Sequence, residues 1–173
     1  MTYAFRVDNK NICAINELYN SYQITPEYIS NFGICISFNC LSNLIGLPNQ
    51  ITGDLSATFN KLTSLEGCPD KLTGNCLLNN NDLTNLKYIS KTMHYLTCYK
   101  NSNLCDISDL FECDIKSDLS QVYISYNDTL AVLPLIKFET VLIDTCCNIS
   151  ALLLKYARNI SKEKNTRIAI GTN

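Results

Sequence analysis

Residues 55–65 read LSATFNKLTSL, in which apolar residues at 55, 57, 62 and 65 surround an asparagine at 60. The same arrangement occurs in the preceding segment ICISFNCLSNL, residues 34–44, and in the following segment CLLNNNDLTNL, residues 76–86. The three segments are evenly spaced along the chain. Units in register at one period indicate a repeat architecture, in which each unit forms one coil and buries its apolar side chains against its neighbours. We therefore expect a solenoid.

The repeat continues more loosely toward the end of the chain. Strand starts are expected at 34, 55, 76, 96, 122 and 141, so the interval is nearly constant except for one longer step between 96 and 122. The last of these units has Cys146 where asparagine is expected, and residues 168–170 are a candidate final strand. Five or six coils are predicted.

An asparagine column runs through the repeat. Five of the six aligned positions hold asparagine, although 21 Asn among 173 residues would fill roughly one position or fewer by chance. An Asn side chain carries two donors and an acceptor, which suits it to bond loop backbone that a coil buries. We interpret the column as a structural ladder of Asn39, Asn60, Asn81, Asn101 and Asn127.

The stretches NCLSNLIGLPNQITG and NKLTSLEGCPDKLTG place Pro48 and Pro69 at equivalent positions. With these motifs, residues 34–153 resemble the short-repeat leucine-rich-repeat proteins of bacteria and bacteriophages. The resemblance implies an α/β solenoid with a curved parallel sheet of about six strands, irregular convex segments and a ligand-binding concave face. It implies no enzymatic activity.

The flanking segments are expected to cap the solenoid within the same single domain, because a bare terminal coil would expose its core. Apolar residues at helical spacing predict an N-terminal helical cap over residues 1–33. Within it, Thr25 and Pro26 form an N-cap signal for a helix that ends near Phe32. Residues 154–173 are predicted to hold a C-terminal helical cap and the final strand.

The amino-acid composition limits the classes of function that this chain can have. A chain that is 46% hydrophobic and 17% charged is typical of a folded domain, and a net charge of −2 without a basic run disfavours nucleic acid as a partner. The start has no signal-peptide pattern and no stretch is apolar enough for a membrane span, so we expect a cytoplasmic protein, in host cytoplasm if the source is viral. The ten cysteines are interpreted as reduced core residues.

No pattern for catalysis stands out. The only histidine, His94, has no neighbouring base or metal motif, and no CxxC occurs. The acidic residues between 106 and 118 are interpreted as a solvated loop. We expect no catalytic residue, no metal site and no cofactor; convergence of Cys76 and Cys98 in neighbouring inward positions is the less favoured alternative.

Strand alternation defines the candidate binding face, because the neighbours of inward-facing residues point outward. This face is rich in Tyr, Asn, Ser and Thr, which suits a protein interface. Phe38 and Phe59 lie just past their strands and belong either to this face or to an internal aromatic spine. The partner-binding residues that we expect are Thr58, Asn79, Tyr99, Lys100, Tyr123, Ser125, Tyr126 and Asp144.

The favoured function is therefore that of a protein-binding module that occupies a surface of a partner protein. One role of this kind is a phage or viral inhibitor of a host defence protein. The alternatives are a structural, self-assembling component such as a virion-associated protein and, less favoured, an enzyme with an unrecognised site.

Overall fold

The computed structural model describes residues 5–107, 109, 114–115, 121–123, 140–144 and 167–171. The chain winds into a solenoid of stacked coils whose strands pair in parallel. The helices are α1 (Ile15–Tyr22) and α2 (Pro26–Phe32). The strands are β1 (Phe5–Arg6), β2 (Ile34–Cys35), β3 (Gln50–Ile51), β4 (Leu55–Ser56), β5 (Lys71–Leu72), β6 (Asn75–Leu77), β7 (Thr92–Met93), β8 (Tyr95–Thr97), β9 (Asp114–Ile115), β10 (Gln121–Tyr123), β11 (Thr140–Asp144) and β12 (Arg167–Gly171).

One side of the solenoid is an eight-stranded parallel sheet with the order β1-β2-β4-β6-β8-β10-β11-β12. The strand starts predicted from the repeat stand side by side in its register, which confirms the predicted alignment of the coils. The aligned residues are Ile34, Leu55, Cys76, Leu96, Val122 and Val141. The predicted number of about six strands was too low, because β1 and β12 extend the sheet at its two ends.

The N-terminal segment combines a strand with helices. The Thr25 side chain accepts from the backbone N–H of Tyr28 at 3.3 Å, so α2 begins at the predicted cap and ends before Gly33. Residues 5–6 were predicted to belong to a helical cap, but they form β1 and pair with β2. The backbone N–H of Val7 continues this pairing by donating to the carbonyl of Cys35.

The prediction for the C-terminal end divides into two parts. Residues 154–166 of the predicted C-terminal helix lie outside the described residues. Residues 168–170 belong to β12, which pairs with β11 over five positions. Within the described part of the chain both helices precede β2, so the repeating coils are built from strands and turns and form a β-solenoid.

A second side of the solenoid is a four-stranded parallel sheet with the order β3-β5-β7-β9, where the resemblance predicted irregular segments. Ile51, Leu72 and Met93 each send a side chain inward and are 1% exposed. At the corner between this sheet and the next strand of the eight-stranded sheet, the backbones of successive coils lie in contact. A Cβ on Gly74 would lie 2.4 Å from the carbonyl carbon of Gly53. Glycine at this corner therefore lets the coils stack closely.

Apolar side chains from each described coil fill the space between the two sheets. The positions two and five residues after the ladder asparagine hold leucine in successive coils, and all of these side chains are at most 1% exposed. Burial of this extent stabilises each coil only when its neighbour is present, because a single coil has apolar side chains on both of its flat sides. These residues are Leu41, Leu44, Leu62, Leu65, Leu83 and Leu86.

The asparagine column bonds the turns of adjacent coils. The Asn60 amide donates to the carbonyls of Ile36, Ala57 and Thr58 at 3.0, 3.2 and 3.3 Å. Its carbonyl oxygen accepts from the backbone N–H of Leu41 at 3.0 Å. One buried side chain thus satisfies backbone groups of its own coil and of the preceding coil.

The same arrangement recurs at Asn39, Asn81 and Asn101. The Asn81 oxygen accepts from the backbone N–H of Leu62 at 3.1 Å and the Asn101 oxygen from that of Leu83 at 3.2 Å. These amides belong to turns and have no place in the sheet ladders, so without the asparagine each would be a buried donor without a partner. The fifth predicted member, Asn127, lies outside the described residues.

We predict that Asn60→Ala destabilises the protein by about 3 kcal/mol or more, because it leaves several buried backbone groups without hydrogen bonds. Urea unfolding followed by circular dichroism measures this loss. The control is Asn20→Ala, at an exposed position of α1, which should change the free energy of unfolding by less than about 0.5 kcal/mol. Equal effects of the two substitutions would contradict the ladder's structural role.

Candidate functional site

The first outward column of the eight-stranded sheet contributes little surface. Strand alternation turns Cys35, Ser56, Leu77 and Thr97 away from the core, yet each is at most 9% exposed. Neighbouring strands lie about 4.8 Å apart, so short side chains in one row shield each other from water.

The second outward column, which stands two residues after the first one in each coil, forms hydrogen bonds within the protein. The hydroxyl oxygens of Ser37 and Ser56 lie 2.9 Å apart, and the Thr58 hydroxyl donates to that of Ser37 at 3.0 Å. Asn79 is buried, and its side-chain oxygen accepts from the backbone N–H of Tyr99 at 3.1 Å. These polar groups serve the fold, so the surface that is free for contact lies beside them.

A third column stands immediately before the ladder position and has left-handed backbone in every described coil. The φ angles of Asn9, Phe38, Phe59, Asn80 and Lys100 all lie between 54° and 56°. A strand that simply continued would turn residue 38 inward and residue 39 outward. The left-handed residue reverses that order, so the asparagine points inward and the residue before it points outward.

Left-handed backbone is unfavourable for phenylalanine. It costs about 1–2 kcal/mol for a residue with a Cβ, and asparagine tolerates it far better than a bulky aromatic residue does. Asn9 and Asn80 therefore suit their positions, whereas Phe38 and Phe59 are strained. Strain of this kind is often found where a side chain must be presented for function.

The two strained phenylalanines form an exposed pair, which we call the phenylalanine stack. The ring centroids of Phe38 and Phe59 are 4.4 Å apart and their planes differ by 9°. The two residues are 44% and 45% exposed. Of the two alternatives left open by the sequence, the internal spine is therefore wrong, and the phenylalanines belong to the outer surface.

Polar groups in the two coils that follow the stack are incompletely bonded. The side-chain nitrogen of Asn80 and the hydroxyl of Thr97 are buried without a hydrogen-bond partner. Buried polar groups without partners reduce stability. This part of the surface is therefore not optimised for the stability of the isolated chain.

The predicted partner-binding residues are distributed over these columns. Thr58 and Tyr99 are half-buried, Asn79 is buried and Lys100 is exposed. Tyr123 and Asp144 lie in β10 and β11, and Ser125 and Tyr126 lie outside the described residues. The stack was absent from the predicted set, although the Phe-Asn pair at the same place in two successive repeats was its signal.

A second feature lies on the turn that precedes the four-stranded sheet. Tyr88 takes the place that Gly46 and Gly67 occupy in earlier coils, and it keeps the positive φ, at 69°. It is 50% exposed, with the Lys87 ammonium 4.9 Å from its ring centroid. Tyr88 and Asp70 both line a cleft of about 390 Å³.

Other chemistry is sparse in the part of the chain that the structure describes. No three His, Cys, Asp or Glu side chains come close enough there to hold a metal ion. His94 is exposed on the turn between β7 and β8. None of the described helices has the length and apolar character that crossing a membrane requires.

Compared with protein-family models, curated protein sequences and solved structures, this chain matches none of them. The candidate site is therefore defined from the geometry of the phenylalanine stack and its surroundings alone. They define the candidate site as an exposed, strained aromatic pair at the rim of a parallel sheet.

We predict that the double substitution Phe38→Asn and Phe59→Asn changes the free energy of unfolding by less than about 1 kcal/mol. Relief of backbone strain, about 1–2 kcal/mol per residue, offsets the lost ring stacking, about 0.5–1.5 kcal/mol, and the lost partial burial. Urea unfolding is the measurement. A loss above about 3 kcal/mol would show that the stack serves the fold and not a ligand.

Proposed function

We propose that this chain is a leucine-rich-repeat protein that binds another protein, with the phenylalanine stack at the centre of the contact surface. The leucine-rich-repeat type is supported by the coil pattern, in which buried leucines follow a ladder asparagine at fixed positions. The proposal assigns the chain no catalytic step.

The observation that carries the binding role is the exposure of two strained phenylalanines. A phenylalanine that is almost half exposed gains only part of the burial energy that normally favours it in a folded chain. Asparagine, present at the same position in adjacent coils, would remove the strain. A partner that covers the rings supplies the missing burial.

The surroundings of the stack suit a protein partner. Aromatic residues are enriched at the centres of protein interfaces, and half-buried polar groups around them favour a defined orientation. Tyr99 and Lys100 extend the surface along the same edge of the sheet, two coils beyond Phe59. The net charge of −2 gives no general attraction for phosphate backbones.

The test compares capture by three forms of the tagged chain, followed by titration of the captured protein in a calorimeter. The wild type and a control with Tyr28→Ser and Phe32→Ser should bind the same partner. The control removes another exposed aromatic pair, with ring centroids 5.4 Å apart on α2. Phe38→Asn with Phe59→Asn should weaken binding by about 100-fold or more, since central aromatic anchors each contribute about 2 kcal/mol or more.

Two outcomes would contradict the proposal. Binding that survives loss of the stack would place the contact surface elsewhere on the solenoid. Capture of further copies of this chain alone, with an oligomer in sedimentation equilibrium, would favour the self-assembling component over a module for a different protein.

A further inference from the structure

Two cysteines from different parts of the chain stand side by side at the N-terminal end of the solenoid. The backbone N–H of Cys40 donates to the carbonyl of Ile12 at 2.9 Å. This bond brings the backbone of Cys40 against the residue that precedes Cys13. A disulfide needs Cα atoms about 4.4–6.8 Å apart, which is a separation that residues of two directly hydrogen-bonded backbone segments commonly have.

The environment of this pair differs from that of the cysteines in the core of the coils. Cys35, Cys76 and Cys98 are buried in the stacked coils, whereas Cys13 is exposed and Cys40 is half-buried. The Cys40 thiol is near enough to raise the pKa of Cys13, and the Cys13 sulfur lies 3.4 Å from the carbonyl oxygen of Asn11. The pair thus combines proximity with access from solvent.

We propose that Cys13 and Cys40 form a reversible disulfide by exchange with a small-molecule disulfide such as oxidised glutathione. One protein thiolate attacks a sulfur of oxidised glutathione, which forms a mixed disulfide and releases one glutathione thiolate. The second protein thiolate then attacks the protein sulfur of the mixed disulfide and releases the other glutathione. Two electrons pass from the cysteine pair to the glutathione disulfide, and the two protons lost by the protein thiols are available to the released thiolates.

The disulfide would link the segment between β1 and α1 to the first full repeat. Without it, the N-terminal segment is held to the sheet by the pairing of β1 with β2, by the backbone bonds of Val7 and Asn9, and by the ladder bonds of Asn39. The cross-link closes a long loop that includes both helices, and closing such a loop restricts the unfolded chain. Oxidation therefore stabilises the N-terminal end of the solenoid.

Charged neighbours set the pH dependence of the exchange. Loss of hydration, the adjacent Cys40 thiol and the Glu17 carboxylate raise the pKa of Cys13, whereas the Lys61 ammonium acts in the opposite direction. The Glu17 carboxylate is close because it accepts from the backbone N–H of Cys13 at 3.3 Å. A raised pKa leaves less thiolate at neutral pH, so the rate should rise about tenfold per pH unit until that pKa is passed.

The experiment oxidises the full chain in glutathione buffer, blocks the remaining thiols with N-ethylmaleimide and identifies linked peptides by mass spectrometry without reduction. We expect a peptide that joins Cys13 to Cys40, a rise in Tm of about 5 °C or more on oxidation, and loss of both with dithiothreitol. Cys68→Ser, at another half-buried thiol, should leave both results unchanged. Cys13→Ser should abolish the link and leave Cys40 as a mixed disulfide.

Two charge variants test the geometry further through the rate of cross-linking at pH 7. Glu17→Gln should speed the reaction by severalfold, because it removes the negative charge but keeps a hydrogen-bond acceptor. Lys61→Met should slow it. A chain in which both cysteines carry separate glutathione adducts, or in which no peptide joins Cys13 to Cys40, would overturn the proposal.

Discussion

The buried turn that follows each of the strands β2, β4, β6 and β8 imposes the main constraint on this structure. Its backbone lies too deep for water and outside the sheet ladders, so it needs other hydrogen-bond partners. The ladder asparagines provide them, and each of the four that the structure describes bonds both its own coil and the coil before it. A coil is thus complete only when the next one is in place.

The same constraint determines what appears on the surface. To aim the asparagine inward, the preceding residue must adopt left-handed backbone, which turns its own side chain outward. Stacking the coils then brings equivalent residues into rows at the strand spacing. Two phenylalanines in the third column become a stack for this reason.

The coil register and the ladder positions could be predicted from the sequence because period, leucines and asparagine agree over residues 34–86. The strand β1 could not be predicted in this way, because its ladder position holds Lys10 and not asparagine. The side chain of Asn39 bonds the Lys10 backbone. The second sheet was missed because strands of two residues, such as Gln50–Ile51, are too short to show a period of two.

The candidate site was predicted less well than the fold. Strand alternation identified the outward columns. It does not reveal that the Asn79 side chain bonds the Tyr99 backbone, or that the first column is shielded from water. It also left the direction of Phe38 and Phe59 open. That direction depends on a single φ angle, which no hydrophobic pattern records.

Hydrogen exchange of individual turn amides tests the role of the ladder most directly. The backbone N–H groups of Leu41, Leu62 and Leu83 donate only to ladder asparagine oxygens among the bonds described for them. We expect these three amides to exchange as slowly as the central strands of the large sheet, and Asn81→Ala to expose Leu62 selectively. Exchange at the rate of exposed loop amides in the unaltered protein would contradict the ladder as the constraint on which the solenoid depends.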